Sequence, residues 1–410
     1  MRLLAHLLFM LIVANVIGVP AFAHGERAQQ ANVRMRTINW YDVNISPARV
    51  EVGEIMTITG RMRTSKFWPD HLPSVIGRVF LNVGTSGPNF VRLASHIDEV
   101  SMIQSTSLEV GRDYEFGLTL KARRPGRFHV HPVLSVLDAG AMVGPGIWVE
   151  VNGDEADFEN TVETMFGNTV HLETFNLPII YSWHTLWFVM GAAWLAYWFR
   201  QRPLLIPRMR AVRDAQQTGG EADDIITARD RKVAIGFVIV TLLLVLAGYQ
   251  WAQWKYPITT PLRTSKVEMP NKTPPQSVLQ VAMSNATYRI PGRSFEMDLE
   301  ITNNGTSAYY LGEFLLANIR FINPSQKILA PQDSHDLIAS NGLRVENDGI
   351  LPGTTKSIKV FAEDALWETQ RLTEMLNDPD SVIAGLLFFE AADGAREVIE
   401  IGGNILPVFQ

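Results

Sequence analysis

Three histidines carry the strongest chemical signal in this chain: His24, His129 and His131. His24 follows Ala21-Phe22-Ala23, which puts small residues at the −3 and −1 positions of a signal-peptidase cut. Cleavage after Ala23 frees an α-amino group beside an imidazole, and together they can grip one metal ion. His129 and His131 stand two apart in "KARRPGRFHVHPVLSV" (121–136), just after a Pro125-Gly126 turn. On a strand, residues two apart share a face, so both imidazoles project together with Cβ atoms about 7 Å apart, while Phe128 and Val130 face the core. The amine and ring of His24 plus one nitrogen from each of the other two make a four-nitrogen donor set. Copper binds such a set tightly and accepts a planar arrangement. Zinc can also occupy three imidazoles, and an H-x-H pair alone is equally what two solvated surface histidines look like.

The chain of 410 residues has a leader-like start at 1–23: Arg2, an apolar run over 3–19, then the small-residue cut. The mature protein is expected to be exported, with room for two or three domains at roughly 100–200 residues each. The net charge of −6 comes with no lysine- or arginine-rich block, which argues against nucleic acid as a partner. There is no cysteine, which excludes disulfides, iron–sulfur clusters, thiolate zinc sites and blue-copper electron transfer. Any metal here must be held by nitrogen and oxygen.

Two further segments are apolar over membrane-spanning length, 177–199 and 233–251, each close to the ~20 residues that cross a ~30 Å hydrocarbon core. Trp194, Tyr197 and Trp198, and Tyr249, Trp251 and Trp254, have the look of interfacial aromatic belts. The loop between them carries Arg200, Arg202, Arg208, Arg210, Arg213, Arg229, Arg231 and Lys232, so the positive-inside rule makes it cytoplasmic and puts both flanking segments outside. A buried apolar hairpin in a soluble domain is the competing reading. Both flanks read as all-β. Runs such as "RVFLNVG", "YEFGLTLKA" and "IWVEVNG" lie between Gly, Pro and Ser signals, and in "RSFEMDLEITNNG" Phe295, Met297, Leu299 and Ile301 share one face. The simplest architecture is mainly β: two sandwiches joined by a two-helix transmembrane hairpin. The domains are then expected at 24–172, 173–255 and 256–410. "DALWETQRLTEML" (364–376) is predicted to be a helix inserted in the second sandwich.

Long stretches of the chain resemble the B subunit of the particulate methane and ammonia monooxygenases. They include "HGERAQQANVRMRTINWYDV" (24–43), "FLNVGTSGPNFVR" (80–92), "KARRPGRFHVH" (121–131), "GPGIWVEVNG" (144–153), "TARDRKVAIGF" (227–237), "KYPITTPL" (255–262) and "YLGEFLLANIRF" (310–321). The resemblance covers nearly the whole mature chain. It implies two cupredoxin-like domains and a copper site made by the mature N-terminal His and the H-x-H pair, which here are His24, His129 and His131. It also implies two helical membrane partners, the A and C polypeptides of the complex, in a trimer of protomers, and oxidation of methane to methanol or of ammonia to hydroxylamine with O₂. The location implied is a bacterial inner or intracytoplasmic membrane, with the β domains periplasmic. Glu26 falls beside the copper as a second-shell or auxiliary ligand, against the alternative of an exposed carboxylate. Where some relatives place a second copper site on two further histidines, this chain has Asn39 and Arg63, so that site is not expected.

His184 lies inside the first apolar segment, where helix packing or partner contact is favoured over metal binding. His71, His96, His171 and His335 lack any paired spacing. A membrane-anchored copper carrier or a scaffold without its own catalysis is the rival function, although a carrier needs neither the helices nor a second sandwich. N-terminal sequencing of the protein from native membranes is expected to begin His-Gly-Glu. A mature chain that starts elsewhere removes the chelating amine and with it the proposed donor set.

Overall fold

A computed structural model describes residues 29–164, 166–201, 205–219, 227–258, 266–270, 276–290, 293–326, 337–346, 348–377 and 380–409. His24, Glu26, His335 and the leader lie outside the described residues.

The first sandwich is built from β1 (Ile38–Ser46), β2 (Arg49–Glu51), β3 (Ile55–Thr64), β4 (Val79–Gly84), β5 (Phe90–Ile97), β6 (Val100–Ser101), β7 (Asp113–Ala122), β8 (Gly126–Val136), β9 (Gly140–Val143) and β10 (Ile147–Asn152). One sheet runs β1-β3-β7-β5-β6; the other runs β2-β10-β8-β4, with β9 pairing β8. Alternation in β3 sends Met56, Ile58 and Met62 inward, where they meet Trp40, Phe116, Leu118, Val130 and Leu134. Trp40 and Phe116 pack edge to face at 4.9 Å, the arrangement the ring quadrupoles favour. Val267, far along the chain, adds a bridge to Thr106 of this sandwich.

The central segment is a hairpin of β11 (Thr161–Glu163) and β12 (Thr169–His171) followed, among the described residues, by three helices. Two of these, Leu177–Gln201 and Ala228–Lys255, are long and apolar enough to cross a membrane. Hydrogen bonds tie them together at both ends: Asn176 donates to the Tyr256 hydroxyl at 2.7 Å, and Tyr197 donates to Asp230 at 2.7 Å. Between these clamps Trp194 packs on Phe237, and Gly248 lets the Trp183 ring approach to where a Cβ would sit 2.8 Å away. Thr227 and Asp230 form a capping box at the start of the second long helix. The expected basic loop contains a third helix, Leu205–Gln217, whose Pro207 falls in the first turn, where no intrahelical N–H is lost.

The second sandwich comprises β13 (Leu279–Arg289), β14 (Ser294–Asn303), β15 (Tyr309–Leu316), β16 (Ile319–Ile322), β17 (Ile338–Ala339), β18 (Leu343–Glu346), β19 (Thr355–Glu363), β20 (Val382–Ala391), β21 (Arg396–Asn404) and β22 (Leu406–Val408). Its sheets run β18-β19-β14-β13-β22 and β17-β16-β15-β20-β21. Phe295, Met297, Leu299 and Ile301 are all fully buried, as their spacing requires. The expected helix over 364–376 is instead a short α-turn, Leu366–Thr369, and a 3₁₀ segment, Leu372–Asn377. Arg371 between them has a φ of 57°, and a left-handed residue ends a right-handed helix. The break lets Trp367, Leu372 and Met375 all reach the core.

β15 and β20 are buried almost end to end, because one face of their sheet covers its own core and the other faces the first sandwich. Leu315, Leu386 and Phe388 meet Tyr41 there. Burial, then the Asp113 carboxylate, push the Tyr41 phenol well above its ordinary range, so it stays protonated and donates to Asp113 at 2.9 Å. Beside this contact the Glu400 carboxylate accepts from Arg63 Nε at 3.0 Å, Ser65 Oγ at 2.6 Å and the Lys66 backbone N–H at 2.9 Å. The helix Ala31–Arg36 crosses between the sandwiches: Ala31 and Met35 join the second core, while Arg36 bonds the Phe67 carbonyl and Asp380.

Replacing Glu400 by Ala strands three donors at a dry interface, at a cost on the order of 3 kcal/mol. The exposed Arg61–Glu115 pair is worth less than about 1 kcal/mol. Thermal unfolding of the solubilised protein should show a midpoint lowered by roughly 6 °C or more for Glu400→Ala and little changed for Arg61→Ala. Equal shifts would refute the interface assignment.

Candidate metal centre

β8 begins at Gly126, whose φ of 142° and close approach to the Phe128 ring, 2.8 Å from a built Cβ, exclude a side chain. One edge of the strand pairs with β10 from 126 to 130 and with β9 from 133 to 136, while the opposite edge pairs with β4 from 131 to 136. His131 falls in the gap between the two partners on the first edge. Val130 is fully buried, and Phe128 packs edge to face on Phe90, so the core-facing side of the strand is as the alternation requires. His129 and His131 lean together on the other side, with His129 Nδ1 2.6 Å from His131 Nε2 and ring centroids 4.4 Å apart.

The other nitrogen of His131 fixes its protonation. Its Nδ1 lies 2.9 Å from the Gly144 carbonyl, which can only accept, so Nδ1 carries the hydrogen and Nε2 presents a lone pair. His131 is only 4% exposed. His129 is half-buried with its ring 5.0 Å from that of Trp148, its ladder partner, and Arg127 covers Trp148 at 4.8 Å. The chain between β9 and β10 passes so close over His131 that a Cβ on Gly146 would stand 2.5 Å from its Nδ1. Glycine is demanded there by the ring beneath it.

With Nε2 of His131 the acceptor, His129 Nδ1 donates to it in this arrangement; moving that hydrogen to His129 Nε2 leaves two adjacent nitrogen lone pairs, which fit a metal that takes nitrogen donors. Among the described residues no group of three or more His, Cys, Asp or Glu side chains converges, so further donors must come from elsewhere. The sequence places His24 and Glu26 outside the described residues. The remaining histidines lie apart: His184 bonds the Ile180 carbonyl one turn back at 2.8 Å, and His71, His96 and His171 are exposed on separate elements. Asn39 and Arg63 are ladder partners on β1 and β3. Asn39 is buried and donates to the Met35 carbonyl, and Arg63 spans Asp113 and Glu400, so both are engaged in holding the fold. Sequence reasoning missed Gly144 and Trp148. Their signal was present in "GPGIW", where the glycines make room for a buried ring.

The sequence pattern of the monooxygenase B-subunit protein family matches residues 25–409. The particulate methane monooxygenase alpha subunit of Methylococcus capsulatus (Bath) is 43% identical over 393 residues, covering 95% of this chain and 93% of that protein. Among solved structures, the cupredoxin domain of amoB from Nitrosocaldus yellowstonii aligns with a TM-score of 0.25 at 14% identity, over 32% of this chain and 98% of that one. The ASH/PapD-like domain of human CEP192 aligns with a TM-score of 0.17 at 10% identity, over 37% of this chain and 99% of that one. At those scores neither likeness bears on function. With the family pattern spanning nearly all of its length and a relative this similar, the chain belongs to the monooxygenase B-subunit family.

Proposed function

We propose that this chain is the copper-binding subunit of a membrane monooxygenase that oxidises methane to methanol with O₂, with His24, His129 and His131 as the copper ligands. The observation that supports it most is the facing ring-nitrogen pair of His129 and His131 in a chain of this family. Methane is favoured over ammonia because the relative 43% identical is a methane monooxygenase subunit. Glu26 stands within two residues of His24 and is proposed as an outer partner of the site. His24 lies five residues before Gln29, whose amide bonds the Ala141 carbonyl at 3.2 Å. A span of that length reaches about 17 Å, so the amine can return to the β8 pair.

Bound copper would supply redox chemistry toward O₂. The chain's own part is to hold two neutral imidazoles at fixed orientation, keep the His131 proton on Nδ1 against the Gly144 carbonyl, and cover that side of the site with Trp148. The reaction balances when CH₄ and O₂ take two electrons and two protons to give CH₃OH and water, so an external reductant is required. The two long helices anchor the chain in a bacterial inner or intracytoplasmic membrane with both sandwiches on the periplasmic side. Two helical partners, the A and C polypeptides, complete the protomer, and three protomers assemble.

Replacing His129 and His131 together by Ala in the native complex should weaken copper binding by more than the roughly 10–100-fold that loss of an outer partner costs, and remove the nitrogen-coordinated signal from X-ray absorption and paramagnetic resonance. An unchanged spectrum rejects the ligand set. Native membranes supplied with methane, ammonia or butane should show the largest substrate-dependent O₂ uptake with methane; a larger response to ammonia would reassign the substrate.

The single chain is expected to be inactive by itself. In the helix Leu177–Gln201 the one histidine, His184, is already bonded to the Ile180 carbonyl, and no carboxylate lies beside it. Copper-loaded chain in a lipid nanodisc, given O₂ and a reductant, should form negligible methanol until both helical partners are added. Isotopically verified methanol from the chain alone would place the whole reaction at the His24, His129 and His131 site.

A further inference from the structure

The strap that orients His131 is held from the other sandwich. In residues 141–144 nearly every peptide group is bonded to a different part of the molecule. Gln29 Nε2 donates to the Ala141 carbonyl at 3.2 Å, and its Oε1 accepts from the Val143 N–H at 3.3 Å. The Val143 carbonyl accepts from Asn318 Nδ2 at 3.0 Å, and the Gly144 N–H donates to the Pro132 carbonyl at 2.8 Å. The Gly144 carbonyl then accepts from His131.

The Val143 carbonyl and the Gly144 N–H belong to one planar peptide unit, so Asn318 and Pro132 together hold both edges of that plane. Gly144 follows it and has no Cβ to restrict its own torsions. A Cβ there would stand 2.8 Å from the Pro132 ring and 2.9 Å from the Trp40 indole, so the position must be glycine, and its aim must be imposed from outside. Asn318 supplies that constraint. It is 3% exposed in the two-residue turn joining β15 and β16, where Ala317 and Asn318 have φ of 50° and 71°, the signs a type I′ turn requires. The Ala317 carbonyl of the same turn accepts from Arg34 Nη1 at 3.2 Å, and Arg34 also bonds Gln370. One turn of the second sandwich therefore grips both the N-terminal helix and the strap over His131.

We propose that Asn318 is a positioning residue for the metal centre: through the Val143–Gly144 peptide it keeps the Gly144 carbonyl aimed at His131 Nδ1, and so keeps the Nε2 lone pair aimed at the metal. This rests on the copper-site reading above. It gives the second sandwich, which contributes none of the proposed ligands, a direct part in the site.

The test is Asn318→Gly in the full complex, because glycine keeps the left-handed turn and removes only the amide. Asn318→Asp serves as a second variant that keeps the shape but puts an acceptor against the Val143 carbonyl. Glu400→Gln is the control for general loosening of the interface. Copper affinity by chelator competition should fall about 10-fold for Asn318→Gly, the range for loss of an outer partner, with an altered nitrogen hyperfine pattern. Asn318→Asp should lose at least as much, and Glu400→Gln should keep the wild-type spectrum at a lower unfolding temperature. Wild-type affinity and spectrum in both Asn318 variants would overturn the proposal. So would failure of both to assemble, since Asn318 would then serve folding alone, and so would a spectrum altered equally by Glu400→Gln. Retention of the copper signal in the His129 and His131 double variant would instead sink the underlying site reading, whatever the Asn318 variants show.

Discussion

The hydrogen bond from His131 Nδ1 to the Gly144 carbonyl is the constraint on which the arrangement of the proposed metal centre depends. An imidazole has one proton to place when neutral, and the carbonyl accepts it at one edge, so the lone pair stands at the other. That choice dictates the local sequence. The Pro132 and Trp40 rings force glycine at 144 and the His131 ring forces it at 146, and across the same residues the edge partner of the strand beneath passes from β10 to β9. The H-x-H pair is thus the visible part of a larger arrangement whose remaining members are backbone groups.

Backbone groups aim well only if their own surroundings are rigid, and here the rigidity comes from the contact between the sandwiches. β15 and β20 bury both faces, which costs them any polar alternation but makes the second sandwich a wall against the first. Within that apolar contact the Glu400 carboxylate is tolerated because it is surrounded by three donors. The helix Ala31–Arg36 belongs to the first sandwich in sequence and to the second in packing, through Ala31 and Met35. Separating the sandwiches would therefore pull on the N-terminal segment and on the strap over His131 together.

Much of this was legible in the sequence where a local period carries the information. Alternation in "RSFEMDLEI" put four side chains on one face, and all four are buried; the shared face of His129 and His131 followed from the same period of two. The family resemblance rested on long motifs and is borne out. The helix over 364–376 was not broken by any Gly or Pro that a reader could see, because the left-handed residue is Arg371, held there by the burial of Trp367 and Leu372 on either side. "LLANIRF" does carry a readable two-residue turn, Ala317-Asn318, between apolar runs. What it bonds, a carbonyl 175 residues away, depends on how two sandwiches dock and has no local signature. For the same reason Asn39 and Arg63 read only as replacements of histidines, whereas in the fold they are ladder partners occupied with the Met35 carbonyl and with Asp113 and Glu400.

The two long helices follow a different logic, since large apolar side chains stand exposed along both. In such surroundings an unpaired polar group is costly, and several of those that occur there are paired within the chain: Asn176 with Tyr256, Tyr197 with Asp230, and Ser182 and His184 with carbonyls one turn back. The two long helices thus form a hairpin closed by polar clamps at both ends. Phe188, Leu242 and Leu246 stand exposed on that surface. His184, with Nδ1 spent on Ile180, adds no cluster of donors to that surface. Among the described residues, facing imidazole nitrogens occur only on β8, so that pair and the apolar surface are carried by different parts of one chain.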